Sequence, residues 1–271
     1  MQGLKDSFVQ AGKFRTHYAE VGSGEPVIVL HSADPGSSGT LEFRNNIGPL
    51  SQQFRVIAPD IIGFGQTDPP GGLLTHPAYV EHMLAFIDAL GLQRYSLIGN
   101  SRGGLVAISV AAERPNQAQR LICAGNAGGG IPPEMQARAL APFANYTPSP
   151  ENLRAVVGRS YFDFDTHVAG AIFDEYLTNS KRQYDEYAKL GGYPMDVPNL
   201  RPQLAELKVP VMFFFGKEDQ VFHVDQALVG FQGTPNSRFV AFSNCGHHPQ
   251  VEHANAFNKI AIQFLKGELD D

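Results

Sequence analysis

Short apolar runs bounded by turn residues recur along the chain. Val27-Ile28-Val29-Leu30 follows a turn rich in glycine, Val21-Gly22-Ser23-Gly24-Glu25-Pro26. Runs of the same kind occupy 56–59, 95–98, 120–124, 209–215 and 237–242. A continuous β-branched or aromatic run of this length is what a strand covered on both faces looks like. Two earlier segments, 7–10 and 13–21, alternate loosely between apolar and polar residues and are joined by Ala11-Gly12, which predicts an extended pair.

Between the runs the period changes. Over 77–90, Val80, Met83, Leu84, Ile87 and Leu90 form one stripe, and Gly91 marks the stop. Residues 104–113 are apolar nearly all round, as in a helix buried against a sheet, and 254–265 is amphipathic. Strands alternating with helices predict an α/β fold, a mostly parallel sheet with helices on both faces. One stretch breaks the alternation. From 128 to 200 there are helical patterns and no strand, with helices expected over 133–140, 150–160 and 167–190, the last broken. It opens on Gly128-Gly129-Gly130-Ile131-Pro132-Pro133 and closes on Gly191-Gly192-Tyr193-Pro194. The expected organisation is a core of 1–127 and 201–271, with 128–200 inserted as a helical cap over the carboxyl edge of the sheet, where open α/β sheets bind ligands.

Composition narrows the functional classes. Of 271 residues, 43% are apolar and 18% charged, which fits a compact folded chain. A net charge of -6 with no Lys/Arg block gives no electrostatic reason to bind nucleic acid or an anionic membrane. Apolar runs are too short to cross a bilayer, and the N-terminal residues have no signal-peptide core, so a cytoplasmic location is the expectation. Two cysteines, Cys123 and Cys245, exclude a disulfide framework and a four-cysteine zinc site, and read as buried small apolar residues.

The candidate chemistry lies at the ends of the predicted strands. Gly99-Asn100-Ser101-Arg102-Gly103, with Gly104 next, sits between a strand and a helix. A serine on so sharp a turn needs neighbours nearly free of side chains two positions to either side. It then projects at a helix N-terminus, where backbone N–H groups stabilise developing negative charge. After the strand 27–30 comes His31-Ser32-Ala33-Asp34-Pro35-Gly36. In this arrangement that loop supplies one oxyanion donor, the backbone of Ala33 or Ser32, and Arg102 supplies the other. Asp219, with Glu218 as the fallback, follows the strand 209–215, and His247 follows the strand 237–242 after Gly246. The order serine, acid, histidine is the one this chemistry takes on such a sheet. His247, His248 and His253 do not have metal-ligand spacing, so no metal and no cofactor are expected.

With these residues in place the chain resembles the α/β-hydrolase superfamily over nearly its whole length, and more narrowly the meta-cleavage product hydrolases. Four segments carry the likeness. Asn46-Ile47-Gly48-Pro49 is similar to an Asn-x-Gly-Pro segment, and Asp60-Ile61-Ile62-Gly63-Phe64-Gly65-Gln66-Thr67 to an Asp-x-x-Gly-Phe-Gly-x-Ser/Thr loop. Gly99 to Gly104 matches the Gly-Asn-Ser-x-Gly-Gly elbow, and Cys245 to His253 the segment Cys-Gly-His-x-x-Gln-x-Glu-His. The resemblance implies a triad of Ser101, Asp219 and His247, and oxyanion donors at Ala33 and Arg102. It implies an anionic small-molecule substrate of the 2-hydroxy-6-oxo-hexa-2,4-dienoate class, hydrolysed at a carbon–carbon bond. Asn46 and Asn100 would line the polar half of the pocket, with Ser32 and His248 as further substrate contacts. A homodimer is an assembly the resemblance allows. Two departures stand out. Ser32 and Asp34 replace the two early glycines of the family's His-Gly-x-Gly-Pro-Gly loop, and His248 replaces the tryptophan after the catalytic histidine. Arg154, Arg159 and Arg182 are candidates for a cap arginine that would pair with a carboxylate. The alternatives are a carboxylesterase or lactonase on the same triad, and a ligand-binding receptor that kept the scaffold.

Overall fold

A computed structural model describes residues 3–72, 74–143, 146–189 and 196–270. Eight strands form one sheet: β1 (Lys5–Ala11), β2 (Phe14–Val21), β3 (Pro26–Leu30), β4 (Arg55–Pro59), β5 (Tyr95–Asn100), β6 (Ala118–Ala124), β7 (Val211–Gly216) and β8 (Ser237–Phe242). Their spatial order is β1-β2-β4-β3-β5-β6-β7-β8. From β4 to β8 all neighbours are parallel, while β1 and β2 add an antiparallel edge. The switch at β3, where the chain turns from β4 on one side to β5 on the other, opens a crevice at the carboxyl ends.

The apolar runs are continuous because each strand buries both faces. Ile28, Leu30, Leu97, Leu121, Cys123, Phe213 and Phe215 pack on one side, with α3 (His76–Ala89) and α4 (Arg102–Glu113). Val27, Val29, Ile98, Ile122, Met212 and Phe214 point to the other, against α2 (Ile47–Ser51) and α12 (Ala254–Leu265). The period of two along each strand assigns neighbours to opposite layers. Both cysteines are free and buried, and burial pushes each thiol up. The elements not anticipated are short: α1 (Gly39–Glu42), α2, α9 (Arg201–Glu206), α10 (Val224–Gln232) and α11 (Pro249–Glu252).

Between β6 and β7 the described chain is helical apart from one isolated bridge. It forms α5 (Pro133–Leu140), α6 (Pro150–Val157), α7 (Phe164–His167) and α8 (Ala171–Lys189), with single 3-10 turns at 141–143 and 158–160. The last expected helix, 167–190, is not broken: α8 is continuous over Ala171–Lys189, and Gly170, at φ 55°, separates it from α7 before it. The expected hinge Gly191-Gly192-Tyr193-Pro194, and Leu190 before it, lie outside the described residues. α8 docks onto the core through main-chain groups. Arg182 donates to Gly65 O at 3.0 Å, the Tyr187 hydroxyl to Gly63 O at 3.0 Å, and Gln183 Oε1 accepts from Gly36 N at 2.8 Å. No helix among the described residues is long and apolar enough to cross a membrane.

Candidate active site

Ser101 stands at the end of β5 with φ 51° and ψ -115°. Positive φ is costly for a residue with a Cβ, so the turn must be held by its surroundings. The flanking glycines show how. A Cβ on Gly99 would lie 2.3 Å from Gly103 O, and one on Gly103 would lie 2.1 Å from Leu30 O. Strand β5 and helix α4 therefore meet with main chain against main chain, and α4 abuts the end of β3. Ser101 N donates to Ala124 O at 2.9 Å, which ties the turn to the end of β6.

The His247 ring is buried and its Nδ1 lies 2.7 Å from Asp219 Oδ2. The other carboxylate oxygen of Asp219 accepts from Val221 N at 2.7 Å and Phe222 N at 2.9 Å. With both oxygens engaged, the carboxylate has one orientation, and it fixes the proton of the imidazole on Nδ1. The Phe222 ring stacks on the imidazole at 5.6 Å. His247 Nε2 is buried and has no hydrogen-bond partner among the described residues. Glu218 is engaged elsewhere: its carboxylate accepts from Cys245 N at 3.1 Å, and its own N–H donates to Cys245 O, so it joins the two loops. The main chain of His247 is held from three sides. Its N–H donates to Ser160 O at 2.7 Å, its carbonyl accepts from Asn100 Nδ2 at 2.9 Å, and a Cβ on Gly125 would come within 2.6 Å of that carbonyl.

A cavity partly open to solvent is lined by Ala33, Asp34, Ser101 and Arg102. Its other walls are mainly apolar and come from α4, α5 and the loops after β6 and β7, Phe143 and Phe222 among them. That character suits a small, largely apolar molecule. The N–H groups of Ala33 and Arg102 make no hydrogen bond among the described residues, so two backbone donors are available beside Ser101. Ser32 is not the donor, because its N–H is spent on Glu42 Oε2 at 2.8 Å.

The four expected substrate contacts fall elsewhere. Ser32 Oγ is bound to the buried Glu42 carboxylate, which also accepts from the Ser37 hydroxyl at 2.6 Å. Asn46 Nδ2 donates to Gln250 O at 2.9 Å and Asn258 Oδ1 at 2.8 Å, and Asn46 does not line the cavity. Asn100 Nδ2 donates to Ala124 O and His247 O, behind the serine rather than before it. His248 is fully buried, stacked on Tyr161 at 4.6 Å, and its Nε2 lies 2.9 Å from Asp34 Oδ2. Short polar side chains near strand ends were absorbed by the scaffold because buried main-chain acceptors need donors.

Glu42, Gly125, Tyr161 and Asp196 had no signal strong enough to be picked from sequence. Except for Glu42, their partners are distant in the chain, as with Arg102, whose guanidinium lies 3.3 Å from Asp196 Oδ1 and over the Tyr79 ring. The three cap arginines do not line the cavity. Arg154 pairs with Asp165 on the surface, and Arg182 is held by Gly65 O. His253 stacks on Phe242 at 4.8 Å, remote from His247 and His248 in its contacts.

The strand-end elbow on an eight-stranded, mostly parallel sheet defines a class of α/β fold. The chain belongs to the alpha/beta hydrolase family, whose model matches residues 27–260. It is 30% identical over 273 residues to a 2-hydroxymuconate semialdehyde hydrolase of Pseudomonas putida, covering 95% of this chain and 92% of the relative. It is 32% identical over 270 residues to a 2-hydroxy-6-oxo-6-phenylhexa-2,4-dienoate hydrolase of Burkholderia cepacia, covering 93% and 91%. Among solved structures it is similar to a meta-cleavage product hydrolase from Pseudomonas fluorescens IP01, with a TM-score of 0.77, 26% identity and coverage of 96% and 97%.

Proposed function

We propose that this chain is a serine-dependent hydrolase that cuts a carbon–carbon bond in 2-hydroxy-6-oxo-hexa-2,4-dienoates, releasing a 2-hydroxypentadienoate and a carboxylic acid. The observation that carries the reading is the buried His247–Asp219 pair, whose imidazole Nε2 is left without a partner among the described residues, together with Ser101 at positive φ and the free N–H groups of Ala33 and Arg102 at one cavity. Relatives named for this substrate class match more than nine-tenths of the chain, which supports the choice of bond.

In this reading the dienol first ketonises, which makes C5 able to leave with an electron pair. His247 Nε2 takes the Ser101 proton as Oγ adds to the C6 carbonyl, and Asp219 stabilises the imidazolium. The N–H groups of Ala33 and Arg102 hold the resulting oxyanion. The C5–C6 bond then breaks, its electron pair moves through the conjugated chain to the C2 oxygen, which takes the proton from His247 to give the 2-hydroxypentadienoate, and water attacks the acyl-serine by the same base. The helical segment 128–200 serves as the cap, closing an apolar wall over the core formed by 1–127 and 201–271. A chromogenic dienoate compared with a simple aryl ester tests the assignment. The dienoate is expected to have the higher kcat/KM, and both turnovers are expected to vanish in Ser101→Ala. Turnover unaffected by Ser101→Ala and by His247→Ala would overturn it.

A second reading is an ester or lactone hydrolase on the same residues. It is favoured by one observation, the Asp34 carboxylate in the cavity lining, which faces away any anionic part of a substrate. A higher kcat/KM for the aryl ester would select it.

A further inference from the structure

Two of the departures from the family pattern touch each other. Asp34 stands where the family has glycine and His248 where it has tryptophan, and their side chains meet at 2.9 Å across 214 positions of sequence. The pair is built into the interior. The Asp34 side chain is 7% exposed and that of His248 is fully buried. His248 is clamped between the Tyr161 ring at 4.6 Å and the His247 ring at 5.6 Å, with Gln250 Nε2 at 3.3 Å from its Nδ1. Burial pulls its pKa down, but the Asp34 hydrogen bond and the charges of Glu42, Asp34 and Glu252 outweigh this and hold it above the ordinary value. Asp34 N–H is fixed as well, donating to Ser32 Oγ at 3.1 Å.

Only one of the two carboxylate oxygens is used. Oδ2 meets His248, while Oδ1 has no hydrogen-bond partner among the described residues, and Asp34 lines the cavity next to Ala33 and Ser101. A nine-tenths buried carboxylate with a free oxygen in a mostly apolar cavity is an acceptor that asks for a donor. A second negative group brought against it is disfavoured, since little water is left to screen the repulsion.

We propose that Asp34, positioned by His248, sets the specificity of this cavity by accepting a hydrogen bond from a hydroxyl group of the substrate. The proposal rests on Ser101 being the nucleophile, but not on which bond is cut. In the dienoate class the hydroxyl available is the one on C2, so the substrate binds with that proton in place, as the enol and not the enolate. In the ester class the site prefers hydroxyacyl over plain acyl groups.

Paired chromogenic esters test this directly: p-nitrophenyl butyrate against the p-nitrophenyl esters of 2- and 3-hydroxybutyric acid. A charge-assisted hydrogen bond predicts that wild type favours at least one hydroxyacyl ester by about tenfold or more in kcat/KM. In Asp34→Gly that ratio is expected to fall to within about twofold of one, and Asp34→Asn, which keeps the shape, is expected to lower it several-fold. His248→Phe should lower the ratio as well, and His248→Gln, which restores a donor to Asp34, should recover part of it. A wild-type ratio near one, or a high ratio that survives in Asp34→Gly and Asp34→Asn, overturns the proposal. Because the readout is a ratio, a general loss of activity or stability does not mimic it. Ester turnover that persists in Ser101→Ala would instead sink the hydrolase reading, so the two failures are distinguishable.

Discussion

Two loops at the carboxyl edge of the sheet are built on opposite principles. The turn after β5 is held by main chain against main chain, at Gly99, Gly103 and Leu30, and leaves the Ser101 side chain free. The loop after β3 is held by side chains: Ser32 and Ser37 on Glu42, and Asp34 on His248. The first tolerates no added atom but meets its distant neighbours, Leu30 and Ala124, only through their main chain. The second admits varied residues only if a distant partner changes too. The geometry at Ser101 is thus fixed by backbone shape, while the cavity wall at Asp34 depends on coupled side chains.

The sharpest way to break this contrast is to remove the group the elbow exists to present. Ser101→Ala is expected to lower turnover by at least about 10⁴-fold with an unchanged melting temperature, as read by an aryl-ester assay and calorimetry. Asp219→Asn should cost somewhat less, about 10³- to 10⁴-fold, because the His247 ring stays in place but its tautomer is no longer enforced. Circular dichroism should be unaltered in that variant. Gly103→Ala places a Cβ at 2.1 Å from Leu30 O and should destabilise the fold by about 3 kcal/mol, measured by urea denaturation. A near-neutral result would mean that the elbow is not held by main-chain contact.

Acid sensitivity supplies a smaller test, away from both loops. His82 is buried, accepts from Ile62 N through Nδ1 and meets Thr16 Oγ1 through Nε2 at 2.8 Å, an arrangement for the neutral ring. Burial pulls its pKa down to about 4. The unfolded chain therefore binds a proton that the folded chain excludes. Stability is full above about pH 6.5 and falls as pH drops towards 4, by about 3 kcal/mol from this residue. Urea titrations near pH 7.5 and pH 4.5 should show the loss, and His82→Gln should flatten it. The smallest effect is expected at the cavity rim. Arg102→Ala removes a buried side chain from the Tyr79 ring and from the half-exposed Asp196 and should lower stability by about 1–2 kcal/mol in calorimetry.

Strand and helix periods made most of the sheet legible, because burial on both faces writes itself as unbroken apolar runs such as Val27 to Leu30 and Val211 to Phe215. The short helices α1, α2 and α11 were not legible, since a single turn has too few residues to show a period. Ser101, Asp219 and His247 could be picked because each follows a strand and sits beside glycine or a turn. Asn46, Asn100, Ser32 and His248 could be picked as polar and well placed, but not assigned a direction. Whether an amide faces a cavity or a neighbouring carbonyl depends on residues such as Gln250 and Ala124, which only folding brings within reach.

By itself, the sequence determined the order of strands and helices, the helical insertion after β6 and the three strand-end residues that carry the candidate chemistry. Local physics governs these: burial period, turn sterics and the glycines that permit close approach. Tertiary structure alone decided that Ala33 and not Ser32 offers the free N–H, that Glu218 joins loops while Asp219 orients His247, and that Asp34 and His248 form one unit in the cavity wall. Each of those outcomes turns on a hydrogen bond between segments far apart in the chain. A buried polar group settles on whichever partner the packed core places within about 3 Å of it.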